Sequence, residues 1–190
     1  MSTQHRILRA AESLFARQGY DSTTIDQVAR SAGLTKGAVY YFFKNKAELF
    51  CTIVDEGVGY IEKECCAMLE ARRSTREIAQ DVIAFYVNIS YDNASLFLIL
   101  FGSRSADPDI RAMFDERIRR LLDCIRKVFQ SGMDGGLLRP VDTGILSRMF
   151  AGLIYGLLAL PEPPEREAAA ESLRALLETG IFALGRERET

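Results

Sequence analysis

The chain holds 190 residues, 48% of them hydrophobic, with a formal net charge of −2; this composition supplies a packed core and excludes a disordered chain. Its first residues, MSTQHRILRAAESLF, lack the apolar run of a signal peptide, and the longest apolar stretch, residues 149–160, is too short to span a bilayer, so a cytoplasmic protein with no membrane partner is expected. Charge is divided unevenly: residues 1–50 hold seven Lys/Arg against four Asp/Glu, and the rest seventeen against twenty-two, a basic head on an acidic body that suits a polyanion-binding module joined to something that does not bind polyanions.

Ile7, Ala11, Leu14 and Phe15 fall on one face of a first helix over residues 5–18, which Gly19 is expected to end as a left-handed cap. Thr24 to Gln27 has capping-box spacing and opens a second helix to Ala32. Gly33 breaks it, Leu34 points inward, and Thr35 caps a third helix of about eight residues. Asn45 to Glu48 caps a long fourth helix, with Phe50, Val54, Ile61, Cys65 and Met68 on its apolar side. That helix contains Gly57 and Gly59, which call for either close packing or a soft hinge. Ser74 to Glu77 opens a fifth helix, through Tyr91. The apolar run Leu96 to Phe101 fits a strand by periodicity alone and is read as a sixth helix from its context. Asp107 and Pro108 start a seventh, with a stripe of Phe114, Ile118, Leu121, Leu122, Ile125, Val128 and Phe129. An almost wholly apolar eighth helix follows Pro140 and stops at Pro161. A ninth begins near Pro164, with Leu173, Leu176, Leu177, Gly180 and Leu184 on one side. The fold class is therefore all-α, with about nine helices.

Helices two and three have the makings of a helix-turn-helix. Ala29 is small where the backbones approach and Gly33 relieves the turn, while Val28, Ala32, Leu34, Val39 and Phe42 occupy the positions that such a motif buries. On a helix starting at Lys36, steps of about 100° place Val39 and Phe42 on one face with Phe43 beside them, and turn Tyr40 the other way with Lys36 and Gly37. Phe42 and Phe43 are thus expected in the core. Tyr40 and Tyr41 offer rings and hydroxyls suited to phosphate oxygens, and Gly37 and Ala38 leave room for a close approach to the major groove. Lys46 adds a cation at the start of helix four, where the helix terminus already favours anions.

The stretch TTIDQVARSAGLTKGAVYYFFKNKAELF resembles the DNA-binding domain of the TetR family of bacterial transcriptional regulators, over roughly residues 6–51. The order Gly33, Lys36, Gly37, Tyr40, Phe43, Lys44, Asn45, Lys46, Leu49 carries the resemblance. It implies a DNA-binding domain at 1–46 and a helical ligand-binding and dimerisation domain at 47–190. It further implies that Thr24 and Tyr40 contact phosphates, that Thr35, Lys36, Gly37, Ala38 and Tyr41 approach the bases, and that Lys46 holds the DNA backbone. Ala38 stands where many members carry Thr or Ser, which leaves base readout to Lys36, Tyr41 and groove shape.

Enzymatic chemistry finds little support. His5 is the sole histidine, no phosphate-cradling glycine motif occurs, and Cys51, Cys65, Cys66 and Cys124 lack metal-ligand spacing, so free buried thiols, no metal, no cofactor and no catalytic residues are expected. In the body, Gly152 and Gly156 lie four apart on a helix apolar nearly all round, as in a helix buried on both faces. With Leu173, Leu176, Leu177 and Gly180 of helix nine they suggest a four-helix homodimer interface. Phe85, Tyr86, Phe97, Phe101 and Phe114 could line an apolar ligand cavity. The expected function is a homodimeric, sequence-specific regulator, a repressor released from a near-palindromic double-stranded DNA operator by a small apolar or amphipathic effector. The rival is a helical interaction module that keeps the helix-turn-helix head, binds protein or nucleic acid without sequence choice, and senses no ligand.

Overall fold

The computed structural model describes residues 2–70, 84, 86–102, 105–136 and 138–180, with the side chains of 176–180 excepted. These residues form α1 (Thr3–Ser22), α2 (Ile25–Ala32), α3 (Lys36–Phe42), α4 (Lys46–Glu70), α5 (described over 86–92), α6 (Ala94–Gly102), α7 (Pro108–Asp134), α8 (Thr143–Ala159) and α9 (Arg166–Gly180), with no strand among them. The expected all-α fold is observed, and the ambiguous run at 96–101 is helical. The Ser74–Glu77 capping box and Leu184 lie outside the described residues.

Local chemistry accounts for the helix boundaries. Thr24 Oγ1 accepts from the Gln27 backbone N–H at 3.3 Å while Gln27 Oε1 accepts from the Thr24 N–H at 2.8 Å, a reciprocal box that satisfies two orphan donors. Gly33 ends α2 at φ 65°, ψ 40°, a left-handed conformation that only glycine adopts without penalty. Thr35 Oγ1 accepts from the Ala38 N–H at 3.2 Å to start α3. At α4, Asn45 Oδ1 accepts from the Glu48 N–H at 2.8 Å, and the Glu48 carboxylate reaches back to the N–H of Lys44.

Gly19 behaves differently from its expected role as a left-handed cap. At φ 79°, ψ 170° it kinks the chain, and one further helical turn follows to Ser22. The kink brings the Tyr20 ring to 5.9 Å from Phe15 and 4.9 Å from Phe50, while the Thr23 hydroxyl donates to Gly19 O at 2.8 Å. The aromatic payload offsets the irregular backbone.

The described residues group into two compact units, one from 1–60 and 93–119, the other from 61–92 and 120–190. The first unit is built on an aromatic cluster in which Phe50 meets Phe15 at 4.9 Å and Phe114 at 5.0 Å, above a buried layer of Ile7, Ala11, Val28, Val39 and Leu49. Arg6 Nη2 donates to Ala32 O at 2.6 Å, taking up a carbonyl that the end of α2 leaves free. The Asp21 carboxylate accepts from Ser105 Oγ at 2.7 Å and the Ala106 N–H at 2.9 Å; these two hydrogen bonds hold its pKa below the usual carboxylate range. Arg117 makes a two-pronged pair with Asp55, both contacts at 2.9 Å. A Cβ added at Gly57 would lie 2.6 Å from Leu96 Cδ2, whereas one at Gly59 meets nothing within 4 Å among the described residues. Close packing therefore accounts for Gly57 and not for Gly59.

The second unit centres on Tyr86, whose ring lies 6.1 Å from Phe129 and 5.1 Å from Phe150, with Ile61, Leu121, Ile125 and Ile154 buried around them. Arg120 pairs with Glu62 through contacts of 3.0 and 2.6 Å, and Arg166 with Asp92 at 2.6 Å. All four cysteines are free; Cys65 and Cys124 are buried, but Cys66 is exposed and Cys51 half-buried, which corrects the expectation of four buried thiols. In α8 only one face, with Leu146, Phe150, Ala151 and Ile154, is buried in the chain. The other face exposes Ile145 and Met149 at 57% and 58%. Burial on both faces, expected from the sequence, is not reached within one chain.

Candidate nucleic-acid interface

The exposed side of α3 carries the largest share of the predicted contacts. Val39 is wholly buried and pins the helix to its unit, while Thr35, Lys36, Gly37, Tyr40 and Tyr41 are exposed and Ala38 is half-buried. Tyr41 is 84% exposed, so its ring and hydroxyl stand clear of the core. A Cβ added at Gly37 would find only Thr35 Oγ1, at 3.9 Å, so the glycine leaves this surface low rather than serving a tight contact. One of the two expected core aromatics differs: Phe43 is buried at 3%, but Phe42 is 36% exposed and meets the Tyr41 ring edge-on at 5.1 Å. The reason is that α3 ends at Phe42. Phe43 leaves the helix at φ −136°, ψ 121° and is buried there.

Thr24 is exposed, with its hydroxyl occupied by the α2 capping box. Lys36 Nζ donates to Asp26 Oδ2 at 2.9 Å, a hydrogen-bonded ion pair that raises the lysine's pKa. Lys46 takes a position that its sequence neighbours do not announce. Its ammonium donates to the carbonyls of Tyr20 at 2.9 Å, Thr23 at 3.0 Å and Asp21 at 3.4 Å, and lies 4.2 Å from the centre of the Tyr20 ring. Burial pushes its pKa down, partly offset by the Asp21 charge. In this structure Lys46 closes the end of α1 rather than extending outward. Asp26 is the residue of this surface that sequence reasoning missed: an acid in a helix's first turn reads as a response to the helix dipole, and its partner is ten residues away.

The remaining candidates fall in both units. Phe97 and Phe101 stack at 6.2 Å on α6, Phe114 packs on Phe50, and Tyr86 belongs to the aromatic core of the second unit; Phe85 lies outside the described residues. Gly152 is exposed and Gly156 half-buried, and a Cβ at either meets nothing within 4 Å among the described residues. Leu173 is buried in the chain, and the side chains of Leu176, Leu177 and Gly180 lie outside the described residues. Among the described residues no three His, Cys, Asp or Glu side chains gather as metal ligands, and no helix is long and apolar enough to cross a membrane.

Residues 7–52 match the family of bacterial regulatory proteins designated tetR. The chain is 27% identical over 196 residues to the uncharacterized HTH-type transcriptional regulator YhgD of Bacillus subtilis (strain 168), covering 93% of this chain and 95% of that one. Among solved structures it is similar to the ketosteroid transcriptional regulator KstR2 of Mycobacterium tuberculosis, with a TM-score of 0.78 at 18% identity over 95% of each chain. It is also similar to the transcriptional regulator FadR from Bacillus subtilis in complex with stearoyl-CoA, with a TM-score of 0.72 at 20% identity over 93% of this chain and 98% of that one.

Proposed function

This chain is a transcriptional regulator of the tetR family, and from that premise we propose that it acts as a homodimeric repressor on a near-palindromic operator, released by a small apolar or amphipathic effector. The observation that carries this reading is the outer side of α3, where Lys36, Gly37, Tyr40 and Tyr41 are exposed while Val39 and Phe43 lock the helix from behind. Charge for phosphate or guanine, ring hydroxyls for phosphate and little bulk between them are the requirements of a helix that enters a major groove. Residues 1–46 serve as the DNA-binding part and 47–190 as the part that dimerises and takes the effector.

The homodimer is supported by α8. Ile145 and Met149, one turn apart with Leu153 after them, form an exposed apolar stripe, flanked by Gly152 and Gly156. A second copy laid on this stripe removes it from water, and a homodimer has two α3 helices to offer to the two half-sites of a near-palindromic operator, whose major grooves recur about every 34 Å. Stearoyl-CoA, bound by the similar Bacillus subtilis regulator, is amphipathic and is the first effector to try; Phe97 and Phe101 on α6 are the first residues to vary.

The test is a titration of the purified protein against its own upstream DNA and against random DNA, with and without stearoyl-CoA. A specific site is expected to bind on the order of a thousandfold or more tightly than random DNA, and the acyl-CoA to weaken that binding. Equal affinity for both DNAs would refute sequence-specific regulation. An operator affinity untouched by any acyl-CoA would refute this effector class alone.

A further inference from the structure

Asp26 lies in the first turn of α2 and Lys36 opens α3, so their ion pair crosses the turn of the helix-turn-helix. Both side chains are more than half exposed, on the surface proposed to meet DNA. The helix dipole favours an acid at the start of α2, but it does not dictate which cation the acid holds. The cation held is the only lysine of α3. A carboxylate here also opposes binding: it repels phosphates and cancels a positive charge that would otherwise contribute to attraction along any duplex.

Lysine ends in a compact ammonium on a flexible four-carbon stem and finds the nearest anion readily, which on DNA is a phosphate. Tethered to Asp26 by one N–H, the Lys36 ammonium keeps two donors, enough for O6 and N7 of a guanine. We propose that Asp26 is a specificity-determining positioning residue: by holding Lys36 away from the phosphates it commits that lysine to a base edge, and so converts general affinity for DNA into discrimination among sequences. The raised pKa of Lys36, whose leading cause is the Asp26 hydrogen bond, agrees with a pair formed in the free protein. A tether already present before binding leaves less side-chain freedom to lose on the DNA.

The proposal rests on the DNA-binding reading above, and its test keeps the two separable. The wild-type protein is used to enrich a site from a random duplex pool. That site, its single-base variants and random DNA are then titrated at several salt concentrations with wild type, Asp26→Asn, Asp26→Ser, Lys36→Ala and the double variant Asp26→Asn/Lys36→Ala. Asp26→Ser keeps a residue well suited to a helix start should Asp26→Asn disturb α2. Both Asp26 variants are expected to bind random DNA roughly three- to tenfold more tightly, and to steepen the log–log salt slope by about one as Lys36 reaches a phosphate. Discrimination at one base pair should fall roughly tenfold. In the Lys36→Ala background, Asp26→Asn should no longer change either slope or discrimination. Discrimination retained in both Asp26 variants overturns the proposal, as does a loss of discrimination that persists without Lys36 or a uniform loss of affinity accompanied by a lower melting temperature. A pool from which no sequence is enriched overturns the DNA-regulator reading itself.

Discussion

On α3 and on α8 apolar surface is left in water, and the two surfaces are chemically unlike. Tyr40, Tyr41 and Phe42 on α3 expose rings beside Lys36, two of them bearing hydroxyls. Ile145, Met149 and Leu153 on α8 expose aliphatic and thioether groups with nothing to donate or accept apart from the weak sulfur of Met149. A surface that offers rings, hydroxyls and charge together can exchange water for a hydrated, charged partner without leaving polar groups unsatisfied. A bare aliphatic stripe gains only from a partner equally dry, which in a homo-oligomer is its own copy. Exposed apolar area alone would have treated these surfaces as equivalent; the polar atoms carried with it tell them apart.

The contrast is broken most sharply at α8. Met149→Glu costs little in a single chain because the side chain already faces water, but it buries an unpaired charge if a second copy covers the stripe, at about 3–5 kcal/mol. Analytical ultracentrifugation should then show a monomer with unchanged far-ultraviolet circular dichroism, and operator affinity should fall with the dimer. A variant still dimeric at nanomolar concentration would move the partner to another face.

At Lys46 the expected effect is smaller and lies in the fold. Lys46→Ala removes the donor shared by three backbone carbonyls at the end of α1, and a loss of about 1–2 kcal/mol is expected in denaturant unfolding. If Lys46 only closes α1, the salt dependence of DNA binding keeps its slope. A slope reduced by about one would give the same lysine a phosphate contact as well.

The smallest change tests the α3 surface alone. Tyr41→Phe deletes a hydroxyl that stands in water and should leave stability within about 0.5 kcal/mol of wild type. Affinity for every duplex should drop about threefold if that hydroxyl meets a phosphate, about one neutral hydrogen bond's worth. An affinity equal to wild type, measured by fluorescence anisotropy, would leave the ring and not the hydroxyl as the contribution of Tyr41.

How much could be read in the sequence depended on how far each cause lay along the chain. The boundaries of α2 and α3 were legible because Thr24 with Gln27, Thr35 with Ala38 and the left-handed Gly33 act within three residues of their effect. The exposure of Phe42 was not, because α3 ends at that residue. Lys46 was read from its place at the start of α4, but its partners are 23 to 26 residues earlier, at the irregular end of α1 that follows the kink at Gly19. The open face of α8 was illegible for another reason: an apolar residue in a sequence looks the same whether its own chain or a second one covers it. The Asp26–Lys36 pair required the angle between two helices, which no spacing rule supplies.

Asp21 bears on how such regulators can be re-engineered. Its carboxylate is the fastening for Ser105 and the Ala106 N–H, so the chain just before α7 is held by a residue from the end of α1. If residues 1–46 are the DNA-binding part, as proposed, a chimera that exchanges them for those of a relative inherits whatever stands at position 21. If that residue cannot accept two hydrogen bonds, the corner at 105–106 is left with a stranded hydroxyl and amide. The exchangeable unit is therefore best defined by its hydrogen bonds: a graft should retain an aspartate at 21 or transfer the 105–106 corner with it.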